Sequence, residues 1–155
     1  MATTTEVRER LEALMNVAPG IVGKLDRYAD PNDPLEDSQL PGYFVGRAGR
    51  AEHENAAAGE QFTSRRWLIW VVACEVLDDL SATKQDADET AEALLDGLIW
   101  YLRQHPQLEL EDTDNGLSGV QAISVKDDGV KEYQRSTKRY AALPIMIDVA
   151  TRRSG

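Results

Sequence analysis

The chain has 155 residues, of which 27 are acidic and 17 basic, giving a formal net charge of −10 and an isoelectric point near 4.6. That length suits one domain over 1–155, which buries roughly 68–70% of its extended-chain surface, and the charge argues against a duplex-binding protein, which would offer Lys and Arg to the phosphates. The single cysteine, Cys74, excludes an intrachain disulfide framework; with no basic and apolar leader after Met1 and no apolar run near the ~20 residues that span a bilayer, the expectation is a soluble protein of cytoplasmic origin with no membrane partner.

Residues 3–18 read as a helix, because Val7, Leu11, Leu14, Met15 and Ala18 fall on one face. Thr3 and Glu6 offer a capping box at its start, and Pro19-Gly20 stops it. A short strand is expected within Ile21 to Tyr28. Asp30 to Gln39, with two prolines and little apolar content, reads as a surface loop, and Leu40 to Arg47 as the next strand, with Pro41 near its start.

Ala48 to Gln61 holds five alanines and two glycines but no bulky apolar residue. Having nothing to anchor it to a core, it predicts a long mobile arm, about 47–66, between two strands; a short Ala-rich helix is the alternative.

Trp67 to Cys74 places eight apolar residues in a row. A strand with one wet face alternates apolar and polar residues, so this run predicts a central strand covered on both faces. Cys74, within it, reads as a small buried hydrophobe. Asp78 to Asp86 reads as a polar linker, with Asp86 and Glu89 capping a helix over 87–105. Its stripe is Ala91, Leu94, Leu95, Leu98, Ile99 and Leu102, and His105-Pro106 ends it. Asn115-Gly116 and Asp128-Gly129 are turn signals around a strand with Val120, Ile123 and Val125. Leu143, Ile145, Ile147 and Val149 alternate with Met146 and Asp148 in a last, half-buried strand ending at Val149.

These elements predict an α+β domain, a largely antiparallel sheet of about four strands with two helices packed on one face. Trp67, Ile69 and Val71 alternate with Leu68, Trp70 and Val72, so whichever set meets the helices, the other needs a second cover. A neighbouring subunit or a folded-back hairpin of the same chain would supply it.

No constellation points to an enzyme, a cofactor or a metal. His53 and His105 have no further His or Cys at ligand spacing. Among Glu109, Glu111, Asp112 and Asp114, the Asp112-x-Asp114-x-Gly116 spacing resembles a calcium loop, but Ile123 stands where that loop needs its bidentate Glu. Gly116 to Val120 lacks the second glycine of a G-x-S-x-G elbow, and Gly46 to Gly49 has neither a P-loop's Lys-Ser/Thr pair nor a dinucleotide turn's third glycine. The candidates that stand out are for contact. Arg47, Arg50, Arg65 and Arg66 concentrate positive charge around the arm, either pairing with Glu52, Glu54 and Glu60 or forming an interface patch for carboxylates on a partner. Trp100 and Tyr101 lie off the core stripe of their helix and either cap the core edge or meet a neighbouring subunit.

The order of elements, with Ala91 to Leu108 (AEALLDGLIWYLRQHPQL), Arg139 to Val149 (RYAALPIMIDV) and the apolar strand before them, resembles the tail terminator, or tail completion, proteins of long-tailed bacteriophages. The likeness covers nearly the whole chain and rests on architecture and length rather than on a catalytic fingerprint. It implies a homohexameric ring in the neck region of the virion that binds the head-proximal end of the tail tube, stops addition of tube protein and offers a docking surface to the head-tail connector. DNA would pass through such a ring without specific binding. Another neck, head-completion or minor tail protein is the nearest rival, and a small cellular ligand-binding domain or enzyme, which needs a deep apolar pocket, a more distant one.

Overall fold

The computed structural model describes residues 3–26, 32–55, 61–109 and 120–153, and for 52–55, 61–62, 121–122 and 153 it describes the backbone. In chain order the elements are helix α1 (Thr4–Asn16), strand β1 (Gly23–Lys24), a 3-10 turn (Asp37–Gln39), β2 (Gly42–Val45), β3 (Ala51–Asn55), β4 (Gln61–Val76), helix α2 (Ser81–Arg103), β5 (Val120–Asp127), β6 (Lys131–Arg135) and β7 (Lys138–Arg153).

The α+β class holds, but the sheet has seven strands among the described residues rather than about four, and it is mixed. β4 and β7, 16 residues each, pair antiparallel along nearly their whole length, roughly 50 Å at about 3.3 Å per residue. Each is long enough to hold two short partners end to end on its free side. β2 (opposite Ile69–Val72) and β3 (opposite Gln61–Arg65) share the outer edge of β4; β5 and β6 share that of β7. The only parallel pairing among them is β1 with β2.

Two of the new strands correct the sequence reading. The arm expected over Arg47 to Arg66 is, in its described part, a β-ribbon: Ala51 to Asn55 pair with Gln61 to Arg65, so backbone hydrogen bonds hold a segment that has little apolar surface to bury. Residues 51–55 and 61–65 are thus strand rather than loose arm or helix, and the alanines at 56–58 lie outside the described residues. β6, polar and only five residues long, pairs with β7 through a tight turn at Ser136, whose φ of 57° lies in the left-handed region. The last strand also runs past Val149 to Arg153.

The helices follow their apolar stripes. α1 begins where Thr3 caps it, its hydroxyl accepting from the Glu6 N–H at 3.1 Å. α2 starts at Ser81, so most of the expected linker, and the proposed cap Asp86, lie inside it. Asp78 acts just before the start instead, accepting from the Leu80 N–H at 2.9 Å. The Asn115-Gly116 turn, the calcium-like spacing and the elbow-like glycines lie outside the described residues.

Both helices pack on one face of the sheet. Leu11, Leu14 and Met15 of α1 and Ala91, Leu98 and Leu102 of α2 are buried against Trp67, Ile69, Val71, Leu143, Ile145 and Ile147. A one-residue irregularity between Val72 and Cys74 bends β4 at its end. Cys74 is half-buried against the Ala87 carbonyl, and burial raises its thiol pKa, which suits an inert packing role.

The opposite face carries a smaller core of Leu25, Leu35, Val72, Tyr140 and Ala142, edged by Phe44, Trp70 and Tyr133. Segment 32–40 supplies part of the cover, tied down where the Tyr140 hydroxyl accepts from the Leu35 N–H at 2.9 Å and donates to the Leu35 carbonyl at 3.1 Å, and where Arg135 Nε donates to the Asp33 carbonyl at 2.6 Å. The second cover that the apolar strand requires therefore comes partly from the chain itself, over Trp70 and Val72. It stops short of Leu68 and Arg66.

Candidate interaction site

Beyond that cover, the same sheet face opens into a groove of about 450 Å³ lined by Arg47, Gly49, Arg50, Ser64, Arg66, Leu68 and Asp148. Strand alternation makes it. Ser64, Arg66 and Leu68 are every second residue of β4, and Asp148 and Met146 stand directly opposite Arg66 and Leu68 on β7. Its rim is the chain leaving β2, held by hydrogen bonds from the Gly46 N–H to the Leu68 carbonyl and from the Gly49 N–H to the Arg66 carbonyl, both 2.7 Å. Gly49 is needed for that approach, since a Cβ there would lie 2.6 Å from the Arg66 carbonyl oxygen.

Three of the four expected arginines meet here. Arg66 grips Asp148 with both arms of its guanidinium, Nε to Oδ1 at 2.8 Å and Nη2 to Oδ2 at 3.2 Å. That hydrogen bond, aided by the charges of Arg66 and Lys126, holds the Asp148 carboxyl below its ordinary range. Arg47 and Arg50 are exposed, and no ion pair to either is formed among the described side chains. The expected pairing with Glu52, Glu54 and Glu60 concerns side chains outside the described set. Lys126, facing Met146 across the β5–β7 pair, adds a fourth cation beside the groove. Among the described side chains that line or border the groove, these four cations stand against the one carboxylate of Asp148, on a protein of net charge −10.

Arg65 does not join them. One residue out of phase with Arg66, it points to the helix side and its Nη1 donates to the Gly49 carbonyl at 2.7 Å, bracing the rim from behind. Trp100 and Tyr101 also separate. The Tyr101 hydroxyl donates to the Leu14 carbonyl at 2.8 Å and locks α2 to α1, with burial raising its pKa, so Tyr101 is the core-edge cap. Trp100 is 68% exposed on the outer side of α2.

Leu68, Asp148 and Gly49 are members of the site that the sequence reading missed. One signal was present: Asp148 breaks the apolar run of the last strand at a residue facing away from the helices, and a carboxylate on a half-covered face calls for a cation across the strand pair.

Two other hollows hold mixed charge. The one beside α1 is lined in part by Arg8, Glu12 and Lys24, of which Lys24 and Glu12 pair with each other. The other, near 190 Å³, includes Lys84, Asp88, Glu132 and Arg139. Neither gathers charge of one sign as the arginine groove does. No cluster of three or more His, Cys, Asp or Glu placed to hold a metal exists among the described residues, and no helix there is long and apolar enough to cross a membrane. None of the protein-family models matches the chain, and none of the curated protein sequences does.

Proposed function

We propose that this protein is a structural component of a phage tail, forming a ring on the head-proximal end of the tail tube, halting tube growth and presenting its other surface to the head connector. The observation that carries the reading is the two-sidedness of the domain. Helices cover the central part of one sheet face, while the other combines a partial cover with an open cationic groove on strands of 16 residues. Subunits joined head to tail use unlike patches, and a closed rotation consumes the sites that would otherwise continue the polymer. The likeness of Ala91 to Leu108 and Arg139 to Val149 to tail terminators supports the same assignment. The overall negative charge suits a passage through which DNA slides, since like charge disfavours sticking.

The test is tube elongation in vitro. Adding the purified protein to growing tubes of the tube protein encoded by the same genome should fix tube length in proportion to the ratio of the two proteins. Tubes that lengthen equally with and without it would refute termination.

A further inference from the structure

The outer surface of α2 carries what the groove lacks. Glu92, Asp96 and Trp100 follow one another at four-residue spacing and form a single exposed ridge. Beside it runs a second row, Glu89, Ala93 and Gly97, in which a Cβ at Gly97 would meet nothing within 4 Å. The result is an acidic ridge ending in an exposed indole, flanked by a row that falls to small residues at Ala93 and Gly97. The groove on the other side of the domain has the inverse character, an apolar floor at Leu68 under a rim bearing Arg47 and Arg50.

We propose that the α2 ridge of one copy seats in the arginine groove of the next. This rests on the ring reading given above and names the two surfaces that would close the ring. The chemistry favours a second copy as occupant for two reasons. The ridge supplies carboxylates for Arg47 and Arg50, whose planar forks bind them in pairs, and a large aromatic for Leu68 and the guanidinium planes. The two surfaces also lie on opposite faces of one domain, with the sheet between them, so each copy offers a ridge to one neighbour and a groove to the other. That is the head-to-tail geometry a ring requires.

Sedimentation of the full chain tests this by charge reversal. The wild type should sediment as an assembly, and both Arg47→Glu/Arg50→Glu and Glu92→Arg/Asp96→Arg should sediment as monomers with unchanged circular dichroism. Combining all four changes, or mixing the two double variants, should restore assembly, an outcome that misfolding cannot produce. A wild-type assembly that tolerates either reversal overturns this pairing and leaves the ring reading standing, whereas a wild type that stays monomeric at every concentration and leaves tube growth unaltered overturns both. Assembly that requires added duplex DNA, lost in Arg47→Glu/Arg50→Glu, would reassign the groove to phosphates and overturn the pairing.

Discussion

At the residue scale the far side of the sheet depends on two polar anchors. Tyr140 is fully buried, and its hydroxyl serves both the N–H and the carbonyl of Leu35. Tyr140→Phe removes one oxygen but strands two buried backbone groups, so it should destabilise the fold by about 1–3 kcal/mol; urea denaturation measures this, and a change near zero would mean that segment 32–40 finds other partners. Asp148 sets a pH dependence. Its folded pKa lies below the unfolded value of about 3.9, so the contribution of its pair with Arg66 is fully present above that value and is lost as pH falls through the lower, folded one. Because Arg66 is half-exposed, the pair is worth only ~0.2–1 kcal/mol. Asp148→Asn should therefore lose that small amount at pH 7, and the difference from wild type should vanish as the pH is lowered past the folded pKa. A gap that persists in acid would assign the effect to packing instead.

At the scale of elements, the long strands explain what the sequence disclosed and what it hid. The helix stripes, the apolar run Trp67 to Cys74 and the alternation in the last strand were legible because each reflects burial against a face, and periodicity reports burial. β3 and β6 were hidden because their pairing is carried by the backbone of β4 and β7, and backbone hydrogen bonds leave no side-chain pattern. The start of α2 was hidden for a related reason: Ser81 to Asp86 is largely exposed helix, with only Thr83 half-buried and no apolar face to mark it. The site divides in the same way. Arg47, Arg50 and Arg66 could be seen as a local concentration of charge, whereas the parity that turns Arg65 to the other face, and the register that sets Asp148 opposite Arg66, depend on strand pairing. The ribbon itself makes a checkable statement. The paired amides of Ala51 to Asn55 and Gln61 to Arg65 should exchange with solvent more slowly than unstructured ones in the free subunit. Unprotected amides throughout would restore the mobile arm. Shortening the chain between Arg50 and Glu60, harmless to a loose arm, should here expose the edge of β4 and lower the melting temperature.

At the scale of the whole molecule, charge is the organising quantity. An acidic protein that places Arg47, Arg50, Arg66 and Lys126 together on one sheet face and the row of Glu89, Glu92 and Asp96 on the helix at the other offers patches of unlike charge on its two sides, and complementary patches steer subunits into a head-to-tail order. A stable contact of this kind should remove at least ~1,000 Å² of surface in total, which the groove and the α2 ridge would supply together with their surroundings. If copies of this chain close into a ring on the tube, electron microscopy of the purified protein mixed with preformed tail tubes should show it. The expected image is a ring of a fixed number of copies, six by the terminator likeness, seated on one end of each tube. Tubes with bare ends, or single copies scattered along their walls, would contradict it.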